Sequence, residues 1–210
     1  MKRLLLSVFT TLAIAAAVQA ADSPEPGFVS IFDGKTFDGW KSTTENSNTW
    51  KIEQGAFVTR GERSHLYYVG NDKPFKNFEL KVDVMTETNS NGGIYFHTKY
   101  QPAGWPKFGF ESQVNTTHPD HQKTGGLYDV AKVFPAPSQD NQWWTQHIIV
   151  KGGRITVKVD GRTVVDYTEP EGKEPGRDFT RKIDEGTFAL QAHDPKSVVR
   201  YKNIRVKRLD

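Results

Sequence analysis

The sequence predicts an all-β protein made of antiparallel strands. Apolar residues recur at every second position, and clusters of Gly, Pro, Asn and Asp interrupt these runs. No segment after the N-terminus shows the periodicity of an amphipathic helix. Many short strands joined by glycine-rich turns are typical of an antiparallel β-sandwich or barrel.

Three segments carry the clearest strand signals. Residues 78–84 alternate between apolar and charged side chains, which predicts one buried and one solvated face. Residues 155–167 hold two alternating runs separated by Asp160-Gly161, which predicts a hairpin with a two-residue turn. Residues 199–206 change parity midway, and we expect a β-bulge near Lys202-Asn203.

The N-terminus predicts export. Lys2 and Arg3 precede an apolar run over residues 4–18, and Val18-Gln19-Ala20 forms a small-x-small cleavage site. A membrane anchor is the alternative, but a spanning helix needs roughly 20 apolar residues. We therefore expect a signal peptide at 1–20, a loose leader at 21–27, and one β-sandwich domain at 28–210.

Composition limits the partners. The chain has no cysteine, which excludes a lipid-modified N-terminus and any disulfide. Without Lys2 and Arg3 the 28 basic residues become 26 against 25 acidic ones, a net charge of +1. Neither nucleic acid nor, after cleavage, a membrane is expected as a partner, and the mature protein is expected to be periplasmic or secreted. Five Trp and seven Tyr suit sugar rings, although such residues are more often core.

Three predicted strands each carry polar side chains on one face, since alternate residues of a strand point the same way. These side chains are Tyr95 and His97 in 93–98, Glu111, Gln113 and Asn115 in 108–115, and Gln191 and His193 in 187–193. The opposite faces are largely apolar and would serve one core. A merely solvated face is the alternative, but amides and imidazoles around one carboxylate favour a polyhydroxylated ligand such as a sugar.

The long segment 115–141 contains the candidate metal ligands His118, Asp120 and His121. A His-x-x-His spacing can bring two imidazoles to a metal ion. Pro119 indicates an irregular loop, where exposed histidines are common, so a solvated loop is the alternative. Loops of this length are usually functional or disordered, and Trp143-Trp144 at its end indicates that it is packed down.

Several segments together resemble the 3-keto-disaccharide hydrolase domain family. They are IFDGKTFDGW at 31–40, NGGIYF at 91–96, FESQV at 110–114, HPD at 118–120, GLYD at 126–129, LQAH at 190–193 and YKNIR at 201–205. The resemblance covers essentially the whole mature chain. It implies a concanavalin A-like jelly-roll sandwich that cleaves glycosides oxidised at the sugar 3-position.

The sequence departs from the family pattern at three places that bear on substrate preference. His97 stands where an arginine is expected, and Asp194-Pro195 replaces a glycine after the histidine. Lys202 replaces a second arginine.

Three functions compete: a 3-keto-glycoside-cleaving enzyme, an ordinary glycosidase and a non-catalytic sugar-binding module. An ordinary glycosidase needs two carboxylates, roughly 5 to 9.5 Å apart. On the predicted strand face Glu111 is followed by Gln113 and Asn115, so the second carboxylate is missing and this function ranks last. The family resemblance ranks the 3-keto enzyme ahead of the binding module.

The residues of the enzyme are assigned from this chemistry. A ketone at C3 makes the C2 proton acidic, so a single base can start an elimination at C1. His193 is the predicted base, and Glu111 either orients it or acts as the base itself. The predicted substrate-binding residues are Gln113, Tyr128, Gln191, Tyr95, His97 and Asp129. No motif demands a cofactor, but a divalent metal ion on the enolate oxygen would help.

Overall fold

The computed structural model describes residues 25–210. The predicted signal peptide and residues 21–24 of the leader lie outside this range. The described chain forms the strands β1 (Val29–Ser30), β2 (Trp40–Ser42), β3 (Trp50–Glu53), β4 (Ala56–Thr59), β5 (Ser64–Tyr68), β6 (Phe78–Thr86), β7 (Asn91–Thr98), β8 (Phe110–Asn115), β9 (Trp144–Lys151), β10 (Arg154–Val159), β11 (Arg162–Thr168), β12 (Thr187–Ala192) and β13 (Val199–Arg208). A 3₁₀ helix, Ser47–Thr49, precedes β3.

The strands form two antiparallel sheets. The larger has the order β11-β10-β9-β6-β13-β4-β3, with β1 beside β13, and the smaller has the order β2-β5-β12-β7-β8. The predicted antiparallel sandwich is confirmed. Most neighbours in each sheet are distant in sequence, so the sheets are held by long-range pairing.

The apolar faces of the two sheets pack on each other. Phe78 of the larger sheet lies 5.0 Å from Phe188 of the smaller one, measured between ring centroids. Both side chains are almost wholly buried, as are Phe57 and Phe96. Replacing such a phenylalanine by alanine typically costs about 3–5 kcal/mol. In a chain without disulfides this core stabilises the fold.

The local turn predictions are confirmed. Asp160 and Gly161 join β10 to β11 with φ of 47° and 79°, the left-handed values that a two-residue hairpin turn of this type requires. The register of β13 against β6 shifts after Lys202, and Asn203 has φ of 48°. The expected bulge therefore lies where the parity changes.

The described residues of the leader, 25–27, contact the sandwich. Residues 25–27 form a turn, and Glu25 accepts hydrogen bonds from the Lys81 ammonium at 2.7 and 2.8 Å. Arg205 lies 3.6 Å from the same carboxylate. Glu25 therefore contacts side chains of β6 and β13. Within residues 25–210 no helix is long and apolar enough to cross a membrane.

The long segment after β8 folds back along that strand. The backbone N–H of Gln113 donates to the Gly126 carbonyl at 2.9 Å, and the backbone N–H of Tyr128 donates to the Glu111 carbonyl at 3.0 Å. The Asn115 side chain donates to the carbonyl of Asp120 at 3.1 Å. These bonds bring Asp120 and Tyr128 beside Glu111, and the segment is packed down as predicted.

Candidate active site

A cavity of about 340 Å³ opens on the outer face of the smaller sheet, the face turned away from the core. Its size lies in the range of small-molecule sites. It is lined by Asn91, Tyr95, Trp105, Pro106, Glu111, Gln113, Asp120, Tyr128, Asp129, Phe179, Arg181, Gln191 and His193. The structure thus brings together both predicted catalytic residues and five of the six predicted binding residues.

Strand register builds the floor of the cavity. Tyr95 on β7 pairs with Glu111 on β8, and Gly93 pairs with Gln113 on one side and Gln191 on the other. A side chain at Gly93 would overlap the Glu111 carboxyl group. Glycine at this position therefore leaves the space that the carboxyl group fills.

Glu111 is the buried acid of the floor. The Tyr95 hydroxyl donates a hydrogen bond to Oε2 at 2.8 Å, and Gln191 Nε2 donates one to Oε1 at 2.9 Å. Burial raises the pKa of Glu111 from 4.5 to about 7, against the opposing effects of the Tyr95 hydrogen bond and the Arg181 charge. The carboxyl group is therefore poised to gain or lose a proton at neutral pH.

Two amide oxygens beside Glu111 lack a hydrogen-bond donor. Gln113 donates from Nε2 to Asn91 Oδ1 at 2.9 Å, and the Gln191 amide nitrogen is likewise engaged. Within the described residues, Oε1 of both glutamines is buried and has no partner. Buried acceptors are normally paired. These two oxygens therefore lie unpaired beside the Glu111 carboxyl group.

His193 follows β12 and forms a dyad with the next residue. Its Nδ1 lies 2.9 Å from Asp194 Oδ2, which also accepts a hydrogen bond from the Ser197 hydroxyl at 2.6 Å. Burial works against the charged form of Asp194, but the Ser197 and His193 hydrogen bonds outweigh it and lower the pKa. An ionised Asp194 places the proton on Nδ1 of His193 and leaves Nε2 free to accept one. The indole of Trp105 lies 5.3 Å from the imidazole, measured between ring centroids, and is tilted by 42° against it.

The predicted metal ligands do not form one group. His121 is exposed, and the Asp120 carboxylate accepts hydrogen bonds from the Tyr128 hydroxyl at 3.2 Å and the Gln122 amide at 2.8 Å. Among the described residues, potential ligand atoms of His118, His193 and Asp194 lie within 4.8 Å of one another. Two imidazoles and a carboxylate suit a transition metal, but the Asp194 carboxylate is already engaged by His193 Nδ1 at 2.9 Å and by the Ser197 hydroxyl at 2.6 Å. Of the three predicted ligands, only His118 lies in this group of described residues.

His97 is the predicted binding residue that does not reach the cavity. It is an extra residue between two pairs of the β7–β12 ladder and has φ of 54°. This bulge turns the imidazole inward, 5.6 Å from the Phe78 ring. Its Nε2 lies 2.9 Å from the Lys76 carbonyl. The expectation that Tyr95 and His97 share a face is wrong, because a bulge reverses the alternation.

Several cavity residues have no signal in the strand pattern. Arg181 and Phe179 come from the connection between β11 and β12, and Trp105 comes from the one between β7 and β8. Loops have no periodicity that predicts where a side chain points. Of the missed residues, only Asn91 could have been suggested by the sequence, because it begins the Asn-Gly-Gly segment.

His65 is a further buried residue behind the cavity. It pairs with Gln191 across β5 and β12, and its ring lies 5.6 Å from both Tyr95 and Trp105. Burial lowers its pKa to about 3, so the imidazole is neutral. Within the described residues, neither ring nitrogen has a hydrogen-bond partner.

The chain is similar to proteins named as carbohydrate hydrolases. A curated 3-keto-disaccharide hydrolase from Bacteroides thetaiotaomicron is 24% identical over 169 residues, which are 67% of this chain. The match spans 58% of the length of that relative. A crystal structure of a candidate glycosyl hydrolase from Parabacteroides distasonis has a TM-score of 0.74 and 25% identity, covering 88% of this chain and 94% of that one.

More distant structures share the fold alone. The carbohydrate-binding module CBM66 from Bacillus subtilis has a TM-score of 0.56 and 15% identity, covering 80% of this chain and 95% of that one. Residues 27–207 match the 3-keto-alpha-glucoside-1,2-lyase-like domain. That match spans nearly all of the described chain, and the protein belongs to this family.

Proposed function

We propose that this protein cleaves 3-keto-glycosides by removing the C2 proton, eliminating the C1 substituent and hydrating the product. The observation that carries the proposal is Glu111, a buried carboxyl group with a pKa of about 7 in a sugar-sized cavity. Family membership and the similarity to a 3-keto-disaccharide hydrolase support the substrate class.

The chemistry proceeds in two stages. The base takes the C2 proton, and the electron pair of the C–H bond is delocalised onto the C3 oxygen as an enolate. The C1–O bond then breaks, the leaving oxygen gains a proton, and a double bond forms between C1 and C2. Water adds its oxygen to C1 and C2 regains a proton, which completes a net hydrolysis.

Two groups divide the proton transfers. The orienting role predicted for Glu111 belongs to Asp194, which holds His193 Nδ1 at 2.9 Å. Glu111 is thereby free to act as the base at C2. His193, with Nε2 available, protonates the leaving oxygen and then activates the water. Positioned acid–base groups of this kind contribute about 10²–10⁴-fold.

The substrate hydroxyls have defined partners. Gln113 and Gln191, whose side chains line the cavity, are assigned to bind two of them. Trp105 supplies an aromatic face against a sugar ring. Asp129 and Tyr128 act through Arg181, which both contact, and not by binding the substrate directly.

An ordinary two-carboxylate glycosidase is the last of the three candidates. Asp120 and Asp129 also line the cavity, although no strand pattern placed them near Glu111. Both are engaged, Asp120 by the Tyr128 hydroxyl and Asp129 by Arg181. A non-catalytic sugar-binding module is the second candidate, and the CBM66 fold is compatible with it.

One assay separates the three. Purified protein is incubated in deuterated water with a 3-keto-glucoside and with its unoxidised parent. The proposal requires release of the leaving group from the keto substrate, deuterium at C2 of the product, and an intact parent. Cleavage of the parent would support the ordinary glycosidase, and binding without any turnover would support the module.

We also propose that the protein acts in the periplasm or outside the cell, as the sequence of residues 1–20 predicts. N-terminal sequencing of the protein recovered from its host should begin at Ala21. Met1 retained in a membrane fraction would contradict export of a cleaved protein.

A further inference from the structure

Arg181 reaches the cavity from the connection between β11 and β12. Its side chain is 18% exposed, and its guanidinium carbon lies 5.5 Å from the Tyr128 ring centroid and 5.2 Å from that of Phe179. The guanidinium nitrogen Nη2 donates to Asp129 Oδ2 at 3.1 Å. Two rings and one carboxylate therefore fix the direction of the guanidinium group.

The backbone of this residue is also held. Arg181 has φ of 40°, a left-handed value that is unusual for a side chain other than glycine. Its carbonyl accepts a hydrogen bond from the Lys173 ammonium. A flexible surface arginine would have neither feature, so the loop presents this side chain in one conformation.

Most of its hydrogen-bonding capacity is unused. A guanidinium group has five N–H donors. In the described part of the chain one of them is engaged, by Asp129. The group thus carries donors and a positive charge at the wall of a cavity whose floor is a carboxyl group.

The charge of Arg181 acts on the floor. Burial raises the pKa of Glu111 and of Tyr95, and in both cases the Arg181 charge opposes that rise. A negative charge that develops between Arg181 and Glu111 during a reaction would be stabilised in the same way. Low exposure strengthens this effect, because water does not screen it.

We propose that Arg181 binds the C3 carbonyl oxygen of the oxidised sugar and stabilises the enolate that forms when Glu111 takes the C2 proton. The inference rests on the proposed function and adds the residue that receives the negative charge. Charge-assisted hydrogen bonds are about twice as strong as neutral ones, so an enolate oxygen gains more from Arg181 than a hydroxyl group does. Arg181 therefore also selects the keto sugar over its parent.

Asp129 and Tyr128 acquire a common role from this assignment. Tyr128 is a predicted substrate-binding residue, but its hydroxyl donates to Asp120 at 3.2 Å. Its ring supports the guanidinium group, and Asp129 anchors one end of it. Both are positioning residues for Arg181.

The test measures enolate formation separately from cleavage. A methyl 3-keto-glucoside is incubated in deuterated water, and C2 deuterium is followed in recovered substrate and in product for wild type, Arg181→Gln and Arg181→Lys. Arg154→Gln is the matched control, because Arg154 is an exposed arginine paired with Asp166 on the edge of the larger sheet. Loss of one oxyanion donor typically costs about 10²–10³-fold in kcat, and this loss of C2 exchange is expected for Arg181→Gln.

Two further readouts exclude a purely structural role. Arg181→Lys keeps the charge but loses the planar fork, so an intermediate rate is expected. In Arg181→Gln the acid limb of the pH–rate profile moves to higher pH, because the charge that lowers the pKa of Glu111 is gone. Thermal unfolding checks that both variants are folded.

The outcomes separate the two levels of inference. Wild-type protein that neither exchanges C2 hydrogen nor cleaves the substrate contradicts the proposed function, and the role of Arg181 with it. Active wild type together with Arg181→Gln within threefold of it would leave the function standing and overturn the role of Arg181. Arg181→Gln that is slow but keeps the wild-type pH profile would also overturn it, since the charge would then not act at the floor.

Discussion

The outer faces of the two sheets are both polar by sequence, yet they differ in kind. On the larger sheet, Glu79, Lys81 and Asp83 alternate with buried apolar residues and remain partly exposed. Their charges are paired: Lys81 with Glu25 at 2.7 Å and Glu79 with Lys207 at 3.7 Å. This face is a solvated surface stabilised by ion pairs.

The outer face of the smaller sheet is buried instead. Glu111 is 6% exposed, and Gln113 and Gln191 are 1% and 2% exposed. Its carboxyl group has no ion pair within the described residues, and two amide oxygens have no donor. A strand face with alternating Lys and Glu is thus typical of a solvated surface. A face with amides around one acid is typical of a ligand-binding site.

The largest effect should come from removing the acid of the buried face. Glu111→Gln keeps the volume and can still accept from Tyr95, but it cannot take a proton. We expect turnover of a 3-keto-glucoside to fall by about 10²–10⁴-fold. His193→Ala should fall within the same range. Single-turnover rates with both variants check this, and near-wild-type rates for Glu111→Gln would remove Glu111 from the chemistry.

The same substitution should change how stability depends on pH. Because the folded pKa of about 7 exceeds the ordinary value of 4.5, the folded protein binds this proton more tightly than the unfolded chain. The contribution of this proton to the free energy of unfolding is fully present below about pH 4.5 and is lost as the pH rises through 7. The difference amounts to about 3 kcal/mol at alkaline pH.

Urea unfolding of wild type and Glu111→Gln from pH 4 to pH 9 measures this effect. As the pH rises, we expect the free energy of unfolding of the variant to increase relative to that of wild type. Parallel curves would show that the carboxyl group is not desolvated in the folded protein.

A smaller effect is expected at the His193 dyad. Asp194→Asn keeps the size of the side chain but removes the charge that holds the Nδ1 proton of His193. We expect about a tenfold loss of kcat with little change in KM, because orientation accounts for only part of the acid–base contribution. Ser197→Ala, which removes one donor to Asp194, is the milder comparison. A loss confined to KM would instead assign Asp194 to substrate binding.

The smallest effect should come from the solvated face. Glu79→Gln is matched chemically to Glu111→Gln but breaks a partly exposed pair with His147. We expect unchanged kcat and KM and a stability change of less than about 1 kcal/mol. A large catalytic loss here would break the contrast between the two faces.

Much of the fold and part of the site follow from the sequence. Alternation predicted the strand at 78–84, the 155–167 hairpin and the bulge near Asn203, because side chains in a strand change face at every residue. The same rule placed Glu111, Gln113 and Gln191 on one face. It failed at His97, where an inserted residue with positive φ reverses the alternation.

What the sequence determined by itself is the content of each strand face, since this depends only on local geometry. The tertiary structure decided which loops close over the face: Arg181, Trp105 and Asp120 reach Glu111 through long-range packing and hydrogen bonds. It also decided that Asp194, not Glu111, holds His193. Loops follow no period, and their side chains are directed by contacts with distant residues. The acid of this site is therefore visible in the sequence, while its charged and aromatic partners emerge only when the sandwich is folded.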